Sequence, residues 1–200
     1  YLQEDRVNFQ GDSNEVELKL STPQEIAFNS INESFSNKEV CLLHGVTASG
    51  KTEIYIKLIE DYLAKGNQVL YLLPEIALTT QLVGRLRTHF GNKVAVFHSK
   101  YSNNERVEVW NQVLEKSEKA QIVIGARSAL FLPFSNLGLI IVDEEHEQTF
   151  KQQDPAPRYH ARDSAIVLAH LHNAKTLLGS ATPSLESYYN AKQKKYGFVE

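Results

Sequence analysis

Two glycines, a lysine and a threonine stand at the spacing G-x-x-x-x-G-K-T in the stretch Gly45-Val-Thr-Ala-Ser-Gly-Lys-Thr52. Glycine lets backbone N–H groups turn inward, and a helix that starts on such a loop presents its positive dipole end to an anion. The spacing therefore predicts a cradle for a polyphosphate. Gly45, Thr47, Ser49 and Gly50 would surround the phosphates of ATP, Lys51 would reach the β and γ phosphates, and the Thr52 hydroxyl would ligate Mg²⁺. A tight strand-to-helix turn with an exposed lysine is the alternative.

A phosphate cradle alone hydrolyses nothing, because the metal needs a carboxylate and the attacking water must be oriented. The run 139–142 is apolar throughout and delivers Asp143, Glu144, Glu145 and His146 at its carboxyl end, where ligands gather in open parallel sheets. Asp143 is expected to hold Mg²⁺, and Glu144 to orient or deprotonate water. His146 is expected to hydrogen-bond toward the γ-phosphate or a neighbouring loop. Taken without the cradle, three adjoining carboxylates read equally as a solvated acidic turn. A third cluster follows in the loop 147–163, where Phe150 and Tyr159 are interleaved with Lys151, Arg158, His160 and Arg162. Aromatic faces stack on unpaired bases while cations contact phosphates, so the pattern suits single-strand binding. A packed connector between strand and helix is the other reading.

Positioning these groups requires alternating elements. The runs "VCLLHG", "QVLYLL", "VAVFHS", "QIVIGA", "LGLIIVDEE" and "KTLLGSA" read as strands, and "KKYGFVE" begins another. Helices are expected over 51–64, 75–89, 104–115, 161–171 and 185–194. A further one starts at Ser21 or Thr22, with Pro23 in its first turn and Ile26, Phe28, Ile31 and Phe35 at helical spacing. Strands that are apolar on nearly every residue are buried on both faces, which fits parallel strands between helix layers. Residues 1–20 are polar and read as a linker or the tail of a preceding domain, leaving 21–200 as one α/β domain. Trp110 falls in a helical pattern with Val107, Val109, Val113 and Leu114, and is expected in the core.

At 200 residues and 42% hydrophobic, the chain can bury one well-filled core. A net charge of −3 argues against coating nucleic acid by bulk attraction, so any such contact must be local. Cys41 is the single cysteine, which excludes a disulfide framework and a multi-cysteine zinc site within this chain and points to a reducing compartment. His170 and His172 are two apart on a helix end and do not share a face, so they make no metal pair. No apolar run spans a bilayer and no signal pattern opens the chain, so a cytosolic protein with no membrane partner is expected. Methionine is absent even at position 1, which suggests a segment of a longer polypeptide.

With "GVTASGKT", "DEEH" and "GSATPS" at 179–184, the chain resembles the first RecA-like lobe of a superfamily 2 helicase. The runs "LLPEIALTTQL" (72–82), "VIGARSALFLPFSNLGLIIVDEEHEQTFKQQ" (123–153), "RYHARD" (158–163) and "LLGSATPSLES" (177–187) narrow this to the PriA family of bacterial primosomal helicases, over about residues 20–195. The resemblance implies a RecA-like P-loop NTPase lobe, α/β, with a mostly parallel central sheet and helices on both faces. It implies ATP hydrolysis to ADP and phosphate, coupled to unwinding DNA at stalled replication forks in replication restart and primosome assembly. Gln24 falls where the family reads adenine, although Pro23 replaces the usual glutamate before it. Thr79, in 74–79, and Arg127, in 125–128, match motifs along the DNA path. Ser180 and Thr182 match the motif that couples nucleotide state to DNA grip. The loop 147–163 resembles the family's aromatic-rich loop, with proline and tyrosine where many relatives carry tryptophan. Implied partners are single-stranded and forked DNA, single-strand DNA-binding protein and the primosome or helicase-loading proteins, in the bacterial cytoplasm at forks. Zinc is implied only in a cysteine-rich module outside this chain. The family's arginine finger, worth about 10³ to 10⁵ in rate in related hydrolases, belongs to its second lobe, so this chain alone is expected to bind nucleotide with little turnover. Two alternatives stand: the first lobe of another superfamily 2 translocase, or a nucleotide- or DNA-binding module without turnover.

Overall fold

Seven short strands form one sheet in the order β3-β4-β2-β5-β6-β1-β7, and every neighbouring pair is parallel. The structure, a computed structural model, describes residues 18–46, 49–99 and 101–200. In chain order the elements are α1 (Thr22–Asn37), β1 (Val40–His44), α2 (Lys51–Ala64), β2 (Gln68–Leu72), α3 (Thr80–Phe90), β3 (Val94–Phe97) and α4 (Asn103–Leu114). They continue with β4 (Ile122–Gly125), β5 (Leu137–Asp143), α5 (Ala161–Leu171), β6 (Lys175–Ser180), α6 (Leu185–Lys192) and β7 (Gly197–Val199). Most of the expected linker, residues 1–17, lies outside the described residues.

Alternation along the strands sorts the core into two layers. Val69, Tyr71 and Leu73 face α1, α2 and α3 together with Leu139 and Ile141, whereas Leu70, Leu72, Ile140 and Val142 face α4, α5 and α6. Side chains two apart on a strand share a face, so Asp143 continues the row of Leu139 and Ile141 and faces the α2 side. Parity alone brings this carboxylate to the layer that holds the cradle helix. Cys41 is buried in the same layer, and burial pushes its thiol up to about 11. At pH 8 that leaves about 0.1% thiolate, the reactive form. A disulfide reagent is therefore expected to label Cys41 at the rate of unfolding; rapid stoichiometric labelling of the native protein would contradict the packing.

Two expectations about elements need correction. The helix expected over 75–89 is divided: Glu75–Ala77 make a single 3-10 turn, and α3 begins only at Thr80. The Thr79 hydroxyl accepts from the Leu82 N–H at 3.3 Å, and this N-cap favours starting a new helix over extending the turn. Trp110 is not in the core. It is 43% exposed on α4, beside exposed Val107 and Leu114, and only Val109 and Val113 of that helix are buried. The reason is position, since α4 packs on the edge strand β3 and an edge strand offers a narrow strip to cover. Among the described residues, no helix is long and apolar enough to cross a membrane.

Candidate nucleotide-binding and DNA-facing site

The strand order places β2, β5, β6 and β1 side by side, so their carboxyl ends make one continuous ledge. Asp143 stands in register with Gly179, and Ser180 with His44. The cradle begins on this ledge: the Gly45 N–H donates to the Ser180 carbonyl at 3.1 Å. Gly50 then turns at φ 81°, and α2 starts at Lys51. Thr47 lies outside the described residues, while Ser49 donates its N–H to the Val46 carbonyl at 3.2 Å.

Gly50 is required twice, by its left-handed backbone and by space, because a Cβ there would collide with the Gln24 amide. The left-handed conformation costs an L side chain about 1–2 kcal/mol. Gly50→Ala is expected to lose at least that much stability in urea denaturation and to dislodge Gln24; an unchanged midpoint would show that the turn is not held as described.

Gln24 does reach the cradle, where both ends of its amide are occupied by the protein. Its oxygen accepts from the Ser21 N–H at 2.8 Å, and its nitrogen donates to the Gly50 carbonyl at 3.2 Å. It braces α1 against the cradle, and adenine would have to exchange with these bonds. The Lys51 amine donates to the Gly45 carbonyl at 2.8 Å and more weakly to that of Val46 at 3.4 Å, closing the cradle on itself. Thr52 lies beside it in the first turn of α2.

Asp143 ends β5 and carries three hydrogen bonds. Tyr55 on α2 donates to Oδ1 at 3.0 Å, Tyr71 on β2 donates to Oδ2 at 3.1 Å, and the Glu144 N–H donates to Oδ1 at 3.1 Å. Burial raises the Asp143 carboxyl above its ordinary range, opposed by the two hydroxyls and by the charge of Lys51. Glu144 is raised as well, by burial and by Asp143 beside it, and its backbone turns through φ 51°. His146 Nδ1 lies 2.8 Å from the Ser180 hydroxyl and 3.7 Å from a Glu144 oxygen. Thr182 donates its N–H to the same Ser180 oxygen at 3.0 Å. Asp143, Glu144, His146 and Ser180 thus lie together at the carboxyl ends of β5 and β6, with the charge of Lys51 acting on both carboxylates.

Glu145, given no role in the sequence reading, is 0% exposed and anchors the ledge from beneath. It accepts from the Ser184 N–H at 2.7 Å, from the Ser184 and Ser187 hydroxyls at 3.0 and 2.8 Å, and from Arg162 at 3.1 Å. Arg162, expected among the DNA contacts, is 7% exposed and also binds Asp163 at 2.8 Å. A buried carboxylate demands a paired cation, and Arg162 fills that need, so it is withdrawn from any phosphate-contacting surface. Phe150 is corrected likewise: at 1% exposed it packs in the layer of α5, and its ring is not open to a base.

The rest of the loop forms a small hairpin closed by an antiparallel bridge between Lys151 and His160. The Lys151 amine donates to the Arg158 carbonyl at 2.6 Å, and the tip 153–158, including Arg158, is exposed. Tyr159 meets Phe131 edge-on at 5.1 Å. Partial burial lowers His160 and raises the Tyr159 phenol. Arg127 donates to the Thr149 carbonyl at 3.0 Å and lines a cleft of about 370 Å³ with Pro74, Glu75, Lys151 and Gln153. Thr79 is absent from that lining, its hydroxyl committed to capping α3.

Among the described residues, no group of three or more His, Cys, Asp or Glu could hold a metal. Mg²⁺ takes one or two protein oxygens and completes its shell with phosphates and water. Thr52 and Asp143 supply hard oxygens of this kind. Tyr55 and Tyr71 were missed by the sequence reading, although signals existed. Tyr55 lies four residues after Lys51 on one helix face, and a buried tyrosine hydroxyl ordinarily needs a partner.

The chain matches the DEAD/DEAH box helicase family over residues 21–191. It is 50% identical over 181 residues to Replication restart protein PriA of Bacillus subtilis, covering 90% of this chain and 22% of that protein. It is 51% identical over 182 residues to the PriA of Haemophilus influenzae, covering 91% and 24%. The chain therefore spans about a quarter of the length of the curated relatives it matches. Among solved structures it is similar to RecG bound to a three-way DNA junction, with a TM-score of 0.63 and 24% identity over 91% of this chain and 24% of that one. It is similar also to the DUF1998 helicase MrfA bound to DNA and AMPPNP, with a TM-score of 0.63 and 22% identity over 90% and 27%. These likenesses agree with the parallel sheet in showing a RecA-like α/β fold. With the loop that leaves β1 at Gly45 and the acidic strand end at 143–146 set on that sheet, the match over residues 21–191 shows that the chain belongs to the DEAD/DEAH box helicase family.

Proposed function

We propose that this chain is the ATP-binding lobe of a DNA helicase that acts at stalled forks in replication restart. One observation supports this above the rest: the carboxyl ends of β1, β5 and β6 bring Gly45, Asp143 and Ser180 onto one ledge, and the cleft beside Arg127 opens at the ends of β2 and β4 on the same edge. Nucleotide and nucleic acid would then share a sheet edge, as coupling requires.

In this reading Lys51 exchanges the carbonyls of Gly45 and Val46 for phosphate oxygens. Thr52 and Asp143 hold Mg²⁺, which when bound neutralises charge on the transferred phosphoryl group. Glu144, its carboxyl raised by burial and by Asp143 beside it, orients water and takes its proton. His146 and Ser180 pass the state of that site to the loop carrying Thr182. Arg127, Lys151, Arg158, Tyr159 and His160 contact single-stranded or forked DNA through charge and stacking, with Thr79 nearby at the start of α3. Phe150 and Arg162 act from beneath as the packing that holds this loop. A longer parent would add the zinc module and contacts to single-strand DNA-binding protein and primosome loaders, in the bacterial cytoplasm.

The test is fluorescent-ATP binding by the 200-residue chain with Mg²⁺, beside ATPase rates of chain and parent with and without forked DNA. Saturable nucleotide binding and DNA-stimulated turnover by the parent are expected. A chain that fails to bind nucleotide, or a parent indifferent to DNA, would end the proposal.

A further inference from the structure

Tyr55 and Tyr71 are completely buried, yet their hydroxyls converge on a single carboxylate from two different elements. Their rings meet edge-on at 5.6 Å with an interplanar angle of 78°, so each fixes the other's position. Room for this arrangement comes from a third element. Gly179 on β6 stands opposite Asp143, and a Cβ there would run into the Tyr55 hydroxyl and lie 3.2 Å from Asp143 Oδ1. Gly179 therefore keeps open the space that the hydroxyl needs.

A carboxylate has about four lone-pair sites. Three of those on Asp143 are engaged, by Tyr55 and the Glu144 N–H on one oxygen and by Tyr71 on the other. Because the donors hold opposite oxygens, the carboxylate plane cannot rotate without breaking a bond to one of two buried tyrosines. About one lone-pair direction remains for a metal ion or its bound water. Tyr55 also lies one turn along α2 from Lys51, so its hydrogen bond ties the cradle helix to the carboxylate.

We propose that Tyr55 and Tyr71 are positioning residues for magnesium: they hold the Asp143 carboxylate in the one orientation that accepts the Mg·nucleotide complex. The proposal rests on the reading of Asp143 as the magnesium carboxylate. Partners of this type typically govern metal affinity by about 10- to 100-fold.

The experiment titrates Mg²⁺ into the chain with a fluorescent ATP analogue, and repeats nucleotide binding in EDTA. Variants are Tyr55→Phe, Tyr71→Phe, the double variant and Asp143→Asn. The double variant is expected to need about 10- to 100-fold more Mg²⁺ for half-saturation, with metal-free nucleotide affinity unchanged. Mn²⁺ spin resonance on the nucleotide complex should show a matching loss of bound ion. If the double variant does not fold, the singles decide, a shift in either supporting the clamp and no shift in both overturning it. An equal loss with and without metal would show a merely structural role and overturn it too. Asp143→Asn separates the two layers of argument. If it leaves the Mg²⁺ dependence unchanged, the reading of Asp143 falls; if it shifts the dependence while the phenylalanine variants do not, only the clamp falls.

Discussion

Glu145→Ala is expected to lower the unfolding free energy by about 3–5 kcal/mol, the usual cost of leaving one charge of a buried pair uncompensated. The magnitude follows from what remains behind. Arg162 would keep Asp163, whose side chain is 58% exposed, while the Ser184 N–H and the Ser187 hydroxyl would lose their acceptor. Against a typical total of about 5–15 kcal/mol, this is enough to unfold a large share of the protein near physiological temperature. Urea denaturation at 25 °C measures it as a lower midpoint at unchanged slope. Arg162→Met should cost less than Arg162→Ala, because methionine keeps the stem's packing. Neither change should alter DNA affinity of the folded fraction, whereas Arg127→Ala should weaken it. A loss below 1 kcal/mol for Glu145→Ala would mean that the network beneath the ledge is not closed to water. A weakening of DNA binding by Arg162→Met equal to that by Arg127→Ala would restore Arg162 to the contact surface.

Lys51→Ala is expected to reduce nucleotide affinity by about 100-fold or more. Each hydrogen bond to a charged group contributes about 1.5–3 kcal/mol, and the amine would make two, one to each of two phosphates. Stability should change little, because the bonds it now makes go to loop carbonyls at the mouth of the cradle. Lys51→Arg should also bind weakly, since a planar fork does not replace a compact ammonium in a tight backbone loop. Fluorescent-nucleotide titration of the three proteins checks this. An alanine variant within threefold of the unaltered chain would remove the cradle from the argument.

The elements that came correctly from the residues are those whose signals are local. The strands over 40–44, 68–72, 94–97, 122–125 and 137–143 announced themselves by mostly apolar runs, that over 175–180 by Leu177 and Leu178 alone, and α2 by its glycine-lysine start. The break before α3 was missed because a helical pattern of apolar residues does not reveal that Thr79 caps a new helix. Trp110 was misplaced because helical spacing names a face without saying how much of that face the sheet can cover.

The sequence by itself determined that a G-x-x-x-x-G-K-T spacing at 45–52 precedes a helix, that an acidic cluster ends a buried strand, and that strands and helices alternate. Backbone spacing and side-chain periodicity are written into consecutive residues, so no partner is needed to read them. Only the tertiary structure decided that β5, β6 and β1 are neighbours, which places Asp143 beside Gly179 and ties Gly45 to Ser180. It alone decided that Arg162 compensates Glu145 where a phosphate had been expected, and that Tyr55 and Tyr71 close on one carboxylate. Whether a charge faces water, ligand or another buried charge depends on groups distant in the chain, and the energy that settles it exists only once packing has brought them together.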